Sequence, residues 1–312
     1  MSQPPVSLKA RCLAEVLGTF LLVFFGCGAV HVAVLGNLSG LWQVGIVWGI
    51  AIMLAIYVVG AISGAHINPA ITTALAAWGR FPRGEVLPYI GGQLIGAMLA
   101  AAVLFTFFSP FLAEKEKNRG VMRGQAGSEI TAMCYCEYFP NPGRLGSIEG
   151  TITPEHITQL NFLVSEPVAI AAEILGTMIL ALVVFALSDE RNLAAPAARL
   201  GPVFIGLTVA VLICVIAPLT QACFNPARDF GPRLVAWLAG WGSIALPGPR
   251  PTGFLTVYIL APIIGAVAGG GLYTRVIRPA LPGSVSTAVC GAVPWEPVPP
   301  EHVPVPENVK GI

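Results

Sequence analysis

Ser63-Gly64-Ala65-His66-Ile67-Asn68-Pro69-Ala70 and Gln221-Ala222-Cys223-Phe224-Asn225-Pro226-Ala227-Arg228 decide how this chain folds. Each contains an Asn-Pro-Ala triplet, each follows a strongly apolar stretch, and Asn68 and Asn225 lie 157 residues apart. A second pair has nearly the same offset: Ala14-Glu15-Val16-Leu17-Gly18-Thr19 and Ala172-Glu173-Ile174-Leu175-Gly176-Thr177. Two unrelated landmarks repeating in step mean an internal duplication.

The surroundings are those of a membrane protein. Of 312 residues, 55% are hydrophobic and 11% charged, against about 25% charged in a soluble domain. Mean hydropathy is +0.76. A net charge of +1 suggests no nucleic-acid or polyanion partner. Apolar stretches of bilayer-spanning length, about 20 residues, run roughly over 12–34, 42–61, 88–109, 167–188, 201–219 and 254–276. The first is too long for the roughly 7–15-residue core of a signal peptide, although Lys9 and Arg11 precede it.

Two further apolar segments, about 66–78 and 224–238, are too short to cross, and each begins its helix at Asn-Pro-Ala. Proline suits the first helical position, where its missing N–H would be unpaired anyway. Each segment therefore reads as a half-helix starting inside the membrane. The order is span, span, half, span, then the same again. An odd number of full crossings per copy turns the second copy upside down. The half-helices then enter from opposite sides and meet near the midplane, where irregular backbone survives only against protein or a water-filled cavity. The expected fold is all-α: six transmembrane helices plus two half-helices in an inverted repeat.

Repeat one covers about 8–109, a long external loop about 110–166, and repeat two about 167–278. Basic residues near short loops set the orientation. Lys9, Arg11, Arg80, Arg83, Arg191, Arg199, Arg275 and Arg278 fall on one side if both termini are cytoplasmic, and the short loop near 35–41 carries none. The Pro-rich tail, 279–312, is expected to be extended or disordered.

Asn68 and Asn225 should meet, each offering amide donors to a passing solute. Each half-helix adds a positive end worth roughly half an elementary charge. Gly64-Ala65-His66 and Gln221-Ala222-Cys223 are expected to be extended, lining a file of carbonyl acceptors. Arg228 is a functional candidate by its cost inside a membrane. Its forked donors suit a neutral solute, and its charge repels cations. Asp229 and Arg233 are spaced for a structural pair on the half-helix. Glu15 and Glu173 are expected to brace the loops, proton coupling being the alternative. His66 reads as a packed loop residue. Gly92-x-x-x-Gly96 and Gly265-x-x-x-Gly269 would permit close helix contact. Cys12, Cys27, Cys214 and Cys223 read as small buried hydrophobes. Cys134 and Cys136 lie in the loop between the copies, taken as polar; a disulfide there is compatible with C-x-C but not established by it. No nucleophile–base pair or metal-binding spacing suggests an enzyme, a metal or a cofactor.

The segments Ser63–Ala70 and Phe224–Arg233 resemble the two signature loops of the major intrinsic protein family, the aquaporins and glycerol facilitators, and the resemblance covers about residues 8–278. In such pores an arginine and the half-helix dipoles exclude protons and cations, a mechanism inherited with the resemblance. Asp229, Arg233 and the run Trp237–Gly242 are similar to the glycerol-conducting branch. The resemblance implies four filter positions: Trp48, Ile213, Ala222 and Arg228. Ile213 stands where water-selective members usually have histidine. Ala222 stands where glycerol facilitators commonly have phenylalanine, and Tyr258 where they usually have proline. The implied function is a passive channel for glycerol, urea or undissociated metalloid acids, with water. A homotetramer with one pore per subunit, in the lipid of the plasma (cell inner) membrane, is also implied. The competing readings are a proton-coupled secondary transporter, a water-selective pore, and a scaffold with a blocked pore.

Overall fold

The computed structural model describes residues 6–36 and 40–281. Helices α1 (Leu8–Val34), α2 (Leu41–Ser63), α3 (Pro69–Ala77) and α4 (Val86–Asn118) form the first copy. Short helices α5 (Glu129–Ala132) and α6 (Pro154–Asn161) sit in the connecting loop. Helices α7 (Glu166–Leu187), α8 (Gly201–Thr220) and α9 (Pro226–Ala236), then a last span over Gly253–Ala280, form the second. Six helices are long and apolar enough to cross a membrane, and no strand occurs among the described residues. Large apolar side chains such as Leu99, Phe107, Val215 and Ile264 face outward, as suits lipid contact.

Packing repeats with the sequence. Helix α1 packs on α2 and α4, as α7 packs on α8 and the last span. The copies are interleaved: α9 lies against α4, and α3 against the last span. Each half-helix therefore rests on the third span of the other copy. Glycines make the close approaches. A Cβ at Gly96 would collide with the carbonyl of Val16, and one at Gly269 with that of Met178. The paired glycine spacings are thus real contact sites at equivalent places in both copies.

The structure revises the connecting loop. The third span does not stop near 109; α4 runs to Asn118 and carries Pro110 inside it. The loop is not polar throughout either. Residues 130–140 are buried, and Cys134 and Cys136 are both free thiols in the core, not a disulfide. Burial among apolar groups pushes the Cys136 thiol up to about 12, so it stays protonated and unreactive. The Pro-rich tail lies, from residue 282 on, outside the described residues.

Candidate functional site: a lined cavity at the Asn-Pro-Ala pair

Each half-helix begins as the sequence dictates. Asn68 caps α3, its side-chain oxygen accepting from the Ala70 N–H at 2.8 Å. Asn225 caps α9, accepting from Ala227 and Arg228 at 3.1 and 3.3 Å. Pro69 and Pro226 take the first helical positions. The two amide nitrogens then cross over. Asn68 Nδ2 donates to the carbonyl of Phe224 and Asn225 Nδ2 to that of Ile67, each at 2.8 Å. One amide hydrogen of each asparagine remains for a ligand.

The loops before the caps are not extended, contrary to expectation. Ala65, Ile67, Gln221, Ala222 and Phe224 have positive φ, between 44° and 63°. That conformation is unfavourable for residues with a Cβ, so it must be held from outside. Glu15 and Glu173 hold it. Glu15 accepts from the backbone N–H of His66 (2.9 Å) and Ile67 (2.7 Å), from Ser63 Oγ (2.7 Å) and from Gln93 Nε2 (2.8 Å). Glu173 accepts from the N–H of Cys223 (3.0 Å) and Phe224 (2.9 Å) and from Thr220 Oγ1 (2.6 Å). Both are fully buried. The glycine three residues on completes the repeated motif. A Cβ at Gly18 would strike Ile67, and one at Gly176 would strike Phe224.

A cavity of about 690 Å³ runs along this junction. Trp48, Ile213, Ala222 and Arg228 all line it, as do Asn68, Asn225, Gly64, Ala65, His66 and Cys223. It continues past Leu75 and Leu180 to Leu187, Ser188 and Arg199. Gln221 is not among its lining residues: it ends α8 in the left-handed conformation, and its side chain bonds Met133 and Tyr138 of the loop. His66 lines the cavity while bonding Thr72 and packing on Phe81 and Tyr89.

Arg228 is 5% exposed and does not reach for the interface. Its guanidinium carbon lies 4.4 Å from the Trp48 ring centroid, within range for attraction to the ring face. It is also not a lone charge. It pairs with Glu137, a fully buried carboxylate from the connecting loop. A cation approaching here meets an ion pair rather than an isolated arginine, which weakens charge repulsion by Arg228 alone. The two half-helix N-termini are left as positive ends. Asp229 and Arg233 do pair, at 2.8 Å. Arg233 also donates to the carbonyls of Glu137 and Ala245, and Asp229 accepts from the Glu137 N–H. The pair thus pins the loop over α9.

The model of the major intrinsic protein family matches residues 3–273. The chain belongs to the major intrinsic protein family. The glycerol uptake facilitator of Haemophilus influenzae is 39% identical over 277 residues, 88% of this chain and 97% of that protein. The one from Pseudomonas aeruginosa is 40% identical over 287 residues, 91% and 95% of the two chains. The propanediol uptake facilitator PduF of Citrobacter freundii is 40% identical over 277 residues, 88% and 95%. Among solved structures, the aquaglyceroporin from Plasmodium falciparum matches with a TM-score of 0.72 at 24% identity, covering 88% of this chain and 99% of that one. At that identity the likeness bears on the fold. In this member of the family, sequence reasoning missed Glu137. The available signal was one acidic residue inside an apolar island, Ile130–Phe139, within a loop judged polar as a whole.

Proposed function

We propose that this protein is a passive channel, not an enzyme, through which glycerol and other small neutral solutes cross a membrane with water. The observation that carries it is the reciprocal Asn68–Asn225 crossing on a continuous cavity shared with Trp48 and Arg228. The donors there suit hydroxyl oxygens, and the flanking walls of Leu22, Ile52, Ile71 and Val209 suit a carbon backbone. The relatives' names fit, since glycerol and propanediol are both short polyols.

Trp48, Ile213, Ala222 and Arg228 act as the selectivity filter in this proposal, and urea and undissociated metalloid acids fall within its reach. Residues 1–278 make up the channel domain, with the tail from 279 as an appendage. The chain assembles as a homotetramer in the plasma (cell inner) membrane, one pore per subunit, with both termini cytoplasmic. The gathering of Arg80 and Arg278 around Asp189 supports a common cytoplasmic end.

Proton coupling through Glu15 or Glu173 is disfavoured, because both carboxylates are taken up by backbone N–H groups. Osmotic stopped-flow on vesicles containing the pure protein tests the proposal. Glycerol flux should follow its own gradient and ignore an imposed pH gradient. Uphill uptake driven by pH would establish a transporter instead, and absence of any solute flux would establish a blocked pore.

A further inference from the structure

The turn between α6 and α7 shows apolar side chains to the outside. Phe162 is 84% exposed and Leu163 beside it 57%. Among the described residues, no large apolar side chain is more exposed than Phe162. The pair does not sit on a loose tip. Leu160 and Val164 flank it and are buried, Leu160 in a cluster with Leu145 and Ile152, Val164 in one with Phe139 and Tyr258. The N–H groups of Phe162 and Leu163 donate to the carbonyls of Gln159 and Leu160, at 3.3 and 3.0 Å. Arg250 Nη2 donates to the Asn161 carbonyl, and its guanidinium carbon lies 4.7 Å from the Phe139 ring centroid. Bonds and packing on both sides thus hold the pair out instead of folding it in.

The height of the pair along the spans is fixed too. Helix α7 begins at Glu166, three residues after Leu163, and the last span begins at Gly253. The Glu166 carboxylate accepts from Thr256 Oγ1 at 2.6 Å, so the two spans start at one level. Phe162 and Leu163 lie at that level, at the end of the fold away from both chain termini. Below them the exposed apolar surface continues along α7 through Val168 and Leu175, seven positions apart and therefore on one face. Residues 162–165, Phe-Leu-Val-Ser, carry no charge. Single exposed apolar residues are ordinary, but a contiguous apolar surface marks an interaction site.

We propose that Phe162 and Leu163 insert into the lipid leaflet at that end, reaching the headgroup and acyl boundary about 5–10 Å deep, and so anchor the connecting loop to the bilayer. Lipid is the occupant because the pair prolongs the outward apolar face of α7 at the depth where two spans begin. The boundary rewards buried apolar area and asks for no matched hydrogen bonds, which suits a phenyl ring next to an isobutyl group. The loop that closes over α9 is then gripped from two sides, by its own apolar cluster and by the bilayer.

Fluorescence quenching on the full chain tests this in phosphatidylcholine vesicles. Phe162→Trp adds one emitter to the six native tryptophans, and its emission is the difference from wild type. Glu149→Trp, at an exposed position on the same loop, is the water-facing comparison. Lipid brominated on the upper acyl chain should remove most of the emission added at 162, and aqueous iodide should remove little. The order should reverse at 149. Stronger quenching by iodide than by bromine at 162 would put the side chain in water and overturn the proposal. Quenching by neither would mean a protein cover, such as a second copy of the chain, and would overturn it too. Equal bromine quenching at both positions would lay the whole loop on lipid and remove any special role for the pair. Leu163→Trp carries the same opposing outcomes if the first variant does not fold. Glycerol flux does not enter this readout, so failure here leaves the channel reading standing.

Discussion

Asn68 and Asn225 each donate a side-chain hydrogen bond across the junction, at 2.8 Å, to the carbonyl just before the other's triplet. Each asparagine thus caps its own half-helix and ties down the opposite loop. Asn225→Ala should remove the cap, worth about 0.5–2 kcal/mol, and leave the buried Ile67 carbonyl short of a donor, at about 1–3 kcal/mol. Thermal unfolding in detergent should show a clear drop in midpoint. An unchanged midpoint would mean that the crossing contributes nothing to stability.

Glu15→Gln and Glu173→Gln should each destabilise the fold with little change in solute ranking. A carboxylate accepting charge-assisted bonds contributes about 1.5–3 kcal/mol through each, and an amide brings a misplaced donor toward the same N–H groups. The pair of measurements is thermal stability and permeability on surviving protein. Normal stability with loss of pH-dependent uptake would point to proton coupling instead.

Much of this site was legible because it occurs twice. Glu15 and Glu173, the two triplets and the motif glycines declare themselves by repeating in step, and the contacts they make repeat as well. Asp229 and Arg233 were legible from a four-residue helical spacing. Glu137 was not, because its partner lies on a different element 91 positions away, and no local pattern encodes a loop folding back over a half-helix. The positive φ angles before each triplet were also hidden. Ala65, Ile67 and Ala222 have no intrinsic preference for that conformation, which the buried glutamates impose. The extension of α4 to Asn118 is hidden because the apolar run ends before Glu114-Lys115-Glu116-Lys117, and helical backbone outlasts it.

Arg228→Val should relax selection without abolishing flux. The substitution removes the stacked guanidinium from the Trp48 wall and leaves Glu137 without its counter-charge. Proton leak and passage of longer polyols should rise by about tenfold, the equivalent of roughly 1.4 kcal/mol off a barrier. Unchanged leak and ranking would exclude Arg228 from the filter.

The proposed filter positions Ala222 and Ile213 give opposite expectations. Ala222→Phe adds a ring where the cavity wall is now a methyl group, and should alter the glycerol-to-urea ratio more than water flux. Ile213→His replaces an apolar wall with a hydrogen-bonding group at similar volume, and should favour water over glycerol. Stopped-flow with the three permeants checks both. If neither substitution moves any ratio, Ile213 and Ala222 line the cavity without forming its constriction.

In the proposed channel, neutral polyols pass the Asn68–Asn225 junction while charge does not. The most direct measurement records glycerol permeability and transmembrane current on the same reconstituted wild-type protein. Rapid glycerol equilibration is expected, with no proton or ion current above that of protein-free bilayers. A robust cation or proton current, or glycerol exclusion alongside free water flow, would contradict it.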